Sequence, residues 1–494
     1  MRFTSHTAAV TLLTLLGAAG VSSAQQPKNF NQEFRKVQTQ VQAKQYPQSL
    51  KQLDGMLKTF TEAEETKAIQ QLRLECMIGG ATWDAAIVLA DQLVADYASD
   101  KAVVTDAKLA KARALVGKGD FEKAVALFRQ IAKDHADRPT QAATALLEAG
   151  DVQANSLKKP DDAVATWTEA EKSFAAQPAL AAEAARRAAV TLETLVKDPV
   201  RAAAMYQKLP TTYAEIYDLN NRSGFFTKAI ELYAAAGKLP EAQAAAAQAE
   251  KAIESVPNKT TYALRQVDLL LVQKKHPEAR AEATRLICAY PLESDTCQQA
   301  QARIVETYRA ESKFDDCLGA ARVLYDASGT EAQIRAAAQV VAQGFRSVDG
   351  NLGRANEFLV YQRFGPNGQD QKPGTPDDLA KNHLAAVKPP ADPAADKSFQ
   401  AAVAAQTNTF EGYRAKGYLN AYWGKPKECA QNFYLAFKSC PDASVPAVAT
   451  ELVLIGMKAH RSSFAGLEEI FEFISYGPAG KDGKQKIADP FAGL

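Results

Sequence analysis

The chain has 494 residues, with 58 lysines and arginines against 57 aspartates and glutamates. A charge this close to balance gives no bulk electrostatic reason to bind nucleic acid or an anionic membrane surface. Alanine is abundant, while glycine (27) and proline (22) are sparse and lie mostly between apolar-periodic stretches, which is the composition of a helical protein.

The chain opens on a leader pattern. Arg2 supplies a short positive region, Ala8 to Val21 is apolar and rich in small residues, and Ser22-Ser23-Ala24 places small side chains before a polar stretch. This layout predicts a secretory signal peptide over residues 1–24, cleaved after Ala24, and a periplasmic or secreted mature chain. No later stretch approaches the roughly 20 apolar residues of a membrane span.

A helical repeat follows. In AKLAKARALVGKGDFEKAVALFRQIAKD, from Ala107, apolar residues recur every three or four positions up to Val116. Gly117-Lys118-Gly119-Asp120 then breaks the helix, and a second one begins at Phe121 with Ala124, Leu127, Phe128 and Ile131 on one face. The frame recurs at intervals of 37 to 40 residues. Its small-residue position holds Ser49, Ala86, Ala124, Ala163, Ala202, Ala242, Ala279, Cys317 and Ala355. One turn on it holds Leu53, Ala90, Phe128, Trp167, Tyr206, Ala246, Ala283, Ala321 and Leu359. After a gap the pattern resumes with Cys429 and Phe433, then with Leu467 and Phe471.

This helix–turn–helix resembles a tetratricopeptide repeat, through Gly119-Asp120-Phe121, the small Ala124 and the aromatic Phe128. The family repeat is about 34 residues, so these hairpins carry a few extra. The family's first-helix glycine is mostly replaced, by Ala112, Val267 and Val305, with Gly417 an exception. The expected fold is all-α: a right-handed superhelical solenoid of about eleven antiparallel hairpins, nine of them in residues 25–364 and two in 397–476. Residues 477–494 form a flexible tail.

Between the two blocks, residues 365–396 contain six prolines among glycine, asparagine and aspartate, which predicts an insertion with at most a short helix near Leu379 to Val387. Its opening, FGPNGQDQK from Phe364, has a counterpart in YGPAGKDGK from Tyr476. Both read as a terminating loop shared through duplication, since one aspartate per copy is far from the acidic set calcium requires.

No motif carries catalysis, a metal or a cofactor. The five histidines (His6, His135, His276, His383, His460) are scattered, and there is no HExxH, CxxC or phosphate-cradling glycine loop. The acidic run Glu62, Glu64 and Glu65 reads as a solvated helix face. Binding remains. The resemblance implies a concave surface lined by first helices that takes a partner peptide or helix. Its inward pairs Leu109/Arg113, Leu264/Asp268 and Ala302/Glu306 are too mixed for the family's cationic carboxylate clamp. Two aromatic regions are richer. Tyr213, Tyr217, Phe225, Phe226 and Tyr233 crowd the middle, with Asn220-Asn221-Arg222 among them. In FEGYRAKGYLNAYWGKPKECAQNF, from Phe410, Tyr413 and Gly417 match the family's packing positions, while Arg414 and Tyr418 share another face. The candidate binding residues are therefore Arg414, Tyr418, Phe225, Phe226 and Arg222; the alternative is that the aromatics fill wide helix crossings.

Of six cysteines, Cys317 and Cys429 occupy small-residue crossings, Cys76 lies within a first helix, and Cys429 and Cys440 lie too far apart along one helix to bond. Cys288 ends one second helix and Cys297 opens the next first helix, which makes them the candidate disulfide. The functional expectation is a non-enzymatic scaffold of the cell envelope with a protein or peptide partner. Alternatives are an adaptor delivering peptide or polysaccharide to an enzyme, and a helical enzyme with an acidic site in its groove.

Overall fold

The computed structural model describes residues 29–135, 137–350, 352–364 and 387–457, with Gln369, Asp370, Lys372 and Thr375 between the last two blocks. The leader, the Leu467/Phe471 register, the loop from Tyr476, the tail and most of the proline-rich insertion lie outside these residues. Among the described residues the chain is all-α, without a strand. It divides into two units, Met1–Leu180 and Ala181–Leu494.

The first unit holds four hairpins: α1 (Phe30–Gln42) with α2 (Tyr46–Met56), α3 (Ala63–Gly79) with α4 (Trp83–Asp96), α5 (Lys101–Lys118) with α6 (Phe121–Asp134), and α7 (Pro139–Asn155) with α8 (Pro160–Ser173). In the second, α9 (Pro178–Thr191) pairs with α10 (Pro199–Thr212), α11 (Leu219–Ala235) with α12 (Leu239–Ala252), and α13 (Val256–Val272) with α14 (His276–Ala289). Then come α15 (Ser294–Ala310) with α16 (Phe314–Asp326) and α17 (Glu331–Asp349) with α18 (Leu352–Phe364). These are consecutive antiparallel hairpins of the tetratricopeptide-like kind. First helices such as α3, α7 and α13 run 17 residues and second helices such as α4, α6 and α14 run 14, which with their connections gives the long repeat.

The register read from sequence is the packing register. Ser49, Ala86, Ala124, Ala163, Ala202, Ala242, Ala279, Cys317, Ala355 and Cys429 are all buried, because nothing larger fits where paired helices cross. The aromatic that opens a second helix packs on the end of the next first helix. A β-carbon on Gly79 would lie 2.3 Å from the Tyr46 ring, and one on Gly117 2.5 Å from Trp83.

Each hairpin turns through one residue with positive φ: Lys44, Ala81, Gly119, Lys158, Lys197, Gly237, Lys274, Ser312, Gly350 and, in the last hairpin, Gly424. In most of them the next amide bonds a carbonyl five residues back, as Asp120 N does with Leu115 O at 2.9 Å and Lys275 N with Leu270 O at 3.0 Å. This is a Schellman-type helix stop. Glycine suits it; lysine tolerates it and adds positive charge at the helix C-terminus.

Beyond α18 the array does not continue end to end. Residues 387–390 run extended over α16, and α19 (Pro393–Ala405) packs against α14. The hairpin of α20 (Phe410–Tyr422) and α21 (Pro426–Ser439) sits against α16 and α14 and shares their core through Tyr418, Leu419 and Tyr422. A short helix α22 (Val445–Glu451) and a π-helical turn, Leu452–Met457, then cover α21. The expected disulfide is not formed: Cys288 and Cys297 are both thiols. Cys297 is fully buried with its Sγ donating to the Tyr290 carbonyl at 3.2 Å, and burial pushes the Cys288 thiol up to about 12.

Candidate binding surface

Four of the candidate residues are packing groups. Tyr418 is 6% exposed and meets Phe433 edge-on at 5.2 Å, so it is not the exposed anchor that its helical spacing suggested. The cause is the packing of α20 on α21 and the π turn, with Glu451 at the end of α22 meeting the same face. Arg414 is committed to the same contact, with a two-point ion pair to Glu451 (Nη2–Oε1 2.6 Å, Nε–Oε2 2.9 Å) and a third bond to Glu411. Phe226 is fully buried against Tyr262. Arg222 donates to the Ala252 carbonyl at 2.7 Å, satisfying the C-terminus of α12.

Phe225 is different. It is half-buried, with Tyr217 edge-on at 4.8 Å on one side and Tyr206 stacked at 6.1 Å on the other. Tyr217 is pinned by its hydroxyl, which donates to the Ala182 carbonyl at 3.1 Å, and burial pushes that phenol up to about 12. Tyr206 donates to Glu193 at 2.9 Å, and Lys228 reaches the same carboxylate at 2.8 Å. Burial alone would raise Glu193, but the bonds from Lys228 and Tyr206 outweigh it and hold the carboxyl below its ordinary value. Glu193 sits in a π-helical turn, Leu192–Val196, that ends the α9 segment. Such turns re-aim side chains, and here one carboxylate ties α10 and α11 to the end of the α9 segment.

Beside these rings lies a charged group on α9. Glu183 accepts from Arg186 and from Arg187, each at 2.8 Å. Burial opposes its charge, yet the two guanidiniums keep its carboxyl below the usual range. Arg186 remains 40% exposed and feels both Tyr217 and Tyr206. Ile216 and Leu219, exposed at 41% and 37%, flank Tyr217 along the α10–α11 connection. The result is an open aromatic ledge bordered by a guanidinium and a carboxylate. An apolar side chain can lie on the ring while Arg186 and Glu183 meet backbone groups beside it.

Elsewhere the first helices neutralise one another. Arg113 on α5 forms a fork with Glu148 on α7 (2.5 and 2.9 Å), and Arg303 on α15 reaches Asp268 on α13 at 3.1 Å. Each cation already faces the carboxylate of the neighbouring repeat. In the first unit, Glu75 and Asp106 are solvent-accessible yet walled in. Burial raises both carboxyls, in Asp106 against the pull of Arg138 and Arg113. Among the described residues no helix is long and apolar enough to cross a membrane, and no three metal-ligating side chains converge.

The sequence reading found Phe225 but missed Glu183, Arg186, Arg187 and Glu193. The i, i+3 and i, i+4 spacing of Glu183 with the two arginines was visible as a helix pair. Its place beside Phe225 is a tertiary fact.

No family model matches the chain, and no curated protein does. Among solved structures it is similar to the apo form of the quorum sensor NprR from B. thuringiensis, at 13% identity over 67% of this chain and 97% of that one, with a TM-score of 0.24. It is also similar to Naa15/Naa10 bound to HypK-THB, at 14% identity over 90% of this chain and 68% of that one, TM-score 0.31. Yeast Tom70 is 11% identical over 90% of this chain and 98% of that one, TM-score 0.17. Likeness at this level says nothing of what this chain binds.

Proposed function

We propose that the chain is a non-enzymatic interaction scaffold of the cell envelope, exported by its leader, which grips a partner peptide or helix on the first-helix face at α9–α11. The observation that carries the reading is Phe225: a half-exposed ring held by two tyrosines that are each hydrogen-bonded in place, beside the open Arg186–Glu183 group. Aromatic and arginine side chains presented rigidly in this way lose little entropy on binding, which is why they dominate binding energy.

The test is affinity capture from envelope fractions with the wild type and with Phe225→Ala and Arg186→Ala. The scaffold reading expects a protein recovered by the wild type and lost with both variants. Recovery of a biosynthetic enzyme in that role would favour the adaptor reading instead. Equal recovery with all three proteins removes α9–α11 as the site. The mass of the mature N-terminus tests export: a chain beginning at Gln25 is expected, and one beginning at Met1 contradicts it.

A further inference from the structure

We infer that Val387–Pro390 is an internal ligand of α16: an extended proline strap that fills a recognition slot on that helix and clasps the α20/α21 hairpin to it. The second helices of the array normally bury one side. In α6 the buried residues are Ala124, Phe128 and Ile131, spaced along a single stripe. In α16 they are Cys317, Leu318, Gly319, Ala320, Ala321, Val323, Leu324 and Tyr325, which go all the way round. The second side is covered by the strap and by α20.

The slot is built for backbone. Gly319 lies inside α16, where glycine weakens a helix, and its place is explained by what approaches it. A β-carbon there would stand 2.3 Å from the Lys388 carbonyl oxygen and 3.2 Å from the Pro390 ring. Arg322, one turn on, donates to the Val387 carbonyl. The opposite wall is Gly424, at the turn between α20 and α21, where a β-carbon would meet Pro389 at 2.4 Å and Val323 at 3.7 Å. Two glycines and a guanidinium thus grip a Val-Lys-Pro-Pro segment from both sides. Asp392 then caps α19 by accepting from the amides of Ala394 and Ala395. The ligand class is an extended peptide with adjacent prolines, whose backbone is stiff before it docks and whose carbonyls are free to accept.

The test is hydrogen exchange on the full-length protein and on Gly319→Ala, Arg322→Ala and a Pro389→Ser/Pro390→Ser double variant. Gly319→Ala is informative through its sign, because in a helix with an open face the change strengthens the helix and slows exchange. The strap predicts the reverse. Exchange in α16 and at the Gly424 turn should speed up by about tenfold or more in all three variants, with residues 30–180 unaffected. A peptide of residues 384–393 added to the double variant should slow it again. Gly319→Ala exchanging no faster than wild type, or a double variant indifferent to the peptide, overturns the inference.

Discussion

The ring of Phe433 lies 2.8 Å from where a β-carbon on Gly417 would have to be, so the glycine of α20 exists to admit that ring. Gly224, on α11, has nothing within 4 Å of the same position. One substitution therefore has two signs. Gly417→Ala should destabilise the second unit by about 1–3 kcal/mol through overpacking. Gly224→Ala should stabilise it by about 0.5–1 kcal/mol through helix propensity. Thermal unfolding of the two variants beside the wild type checks both.

The turn register makes a second prediction. Ala81 holds φ at 57° where Gly119, in the next hairpin, holds 93°. Left-handed backbone costs an L side chain about 1–2 kcal/mol, part of which glycine gives back as unfolded-chain entropy. Ala81→Gly should raise the first unit's stability by up to about 1 kcal/mol, and Gly119→Ala should lower it by about 1 kcal/mol. Denaturant unfolding of the two variants should move in opposite directions.

His135 gives the first unit a pH dependence. It ends α6 at the position held by Tyr97 and Phe174 in neighbouring hairpins, and it is buried. Thr105 Oγ1 already donates to the Lys101 carbonyl at 2.6 Å, so His135 Nδ1 is the donor in its 3.0 Å contact with that hydroxyl. Nε2 then accepts from Lys108 at 3.4 Å. The ring is neutral, and burial together with the Lys108 charge lowers its pKa. A depressed histidine resists protonation only in the folded state. Stability is therefore full above the unfolded value of about 6.5 and declines as pH falls below it toward the folded value. His135→Phe should remove that part of the slope. Melting temperatures between pH 8 and 5 decide it: parallel curves for variant and wild type refute the assignment.

Arg414 should matter for folding and not for binding. Arg414→Ala leaves Glu451 without its main partner under α22, and a loss of about 2 kcal/mol is expected after discounting for partial exposure. Partner capture at α9–α11 should be unchanged. A variant of normal stability that loses the partner would return Arg414 to the binding surface.

Much of this architecture was legible, and for a physical reason. A tight helix crossing demands a small residue, so Ala86, Ala124 and Ala163 repeat visibly down the chain. The turn register was half-hidden. Gly119, Gly237, Gly350 and Gly424 show it, whereas Lys44, Lys197 and Ser312 adopt the same backbone without looking like turn residues. Spacing placed Arg414 and Tyr418 on one helix face but could not say that Phe433 and Glu451 would meet that face. The π turn at Leu192–Val196 left no trace, because an alanine-rich helix shows little change of phase when one residue is added to a turn. The prolines at 389 and 390 read as an interruption, and only their close approach to Gly319 and Gly424 turns them into a docked strap.

Site-specific photo-cross-linking from position 225 tests the central claim most directly. A benzophenone side chain replacing Phe225 should capture one discrete partner in the envelope, and adding Arg186→Ala should abolish the adduct. The same probe at Val88, 57% exposed on α4, should capture nothing. Adducts that are absent at 225, or identical from 225 and 88, would contradict a binding surface at α9–α11.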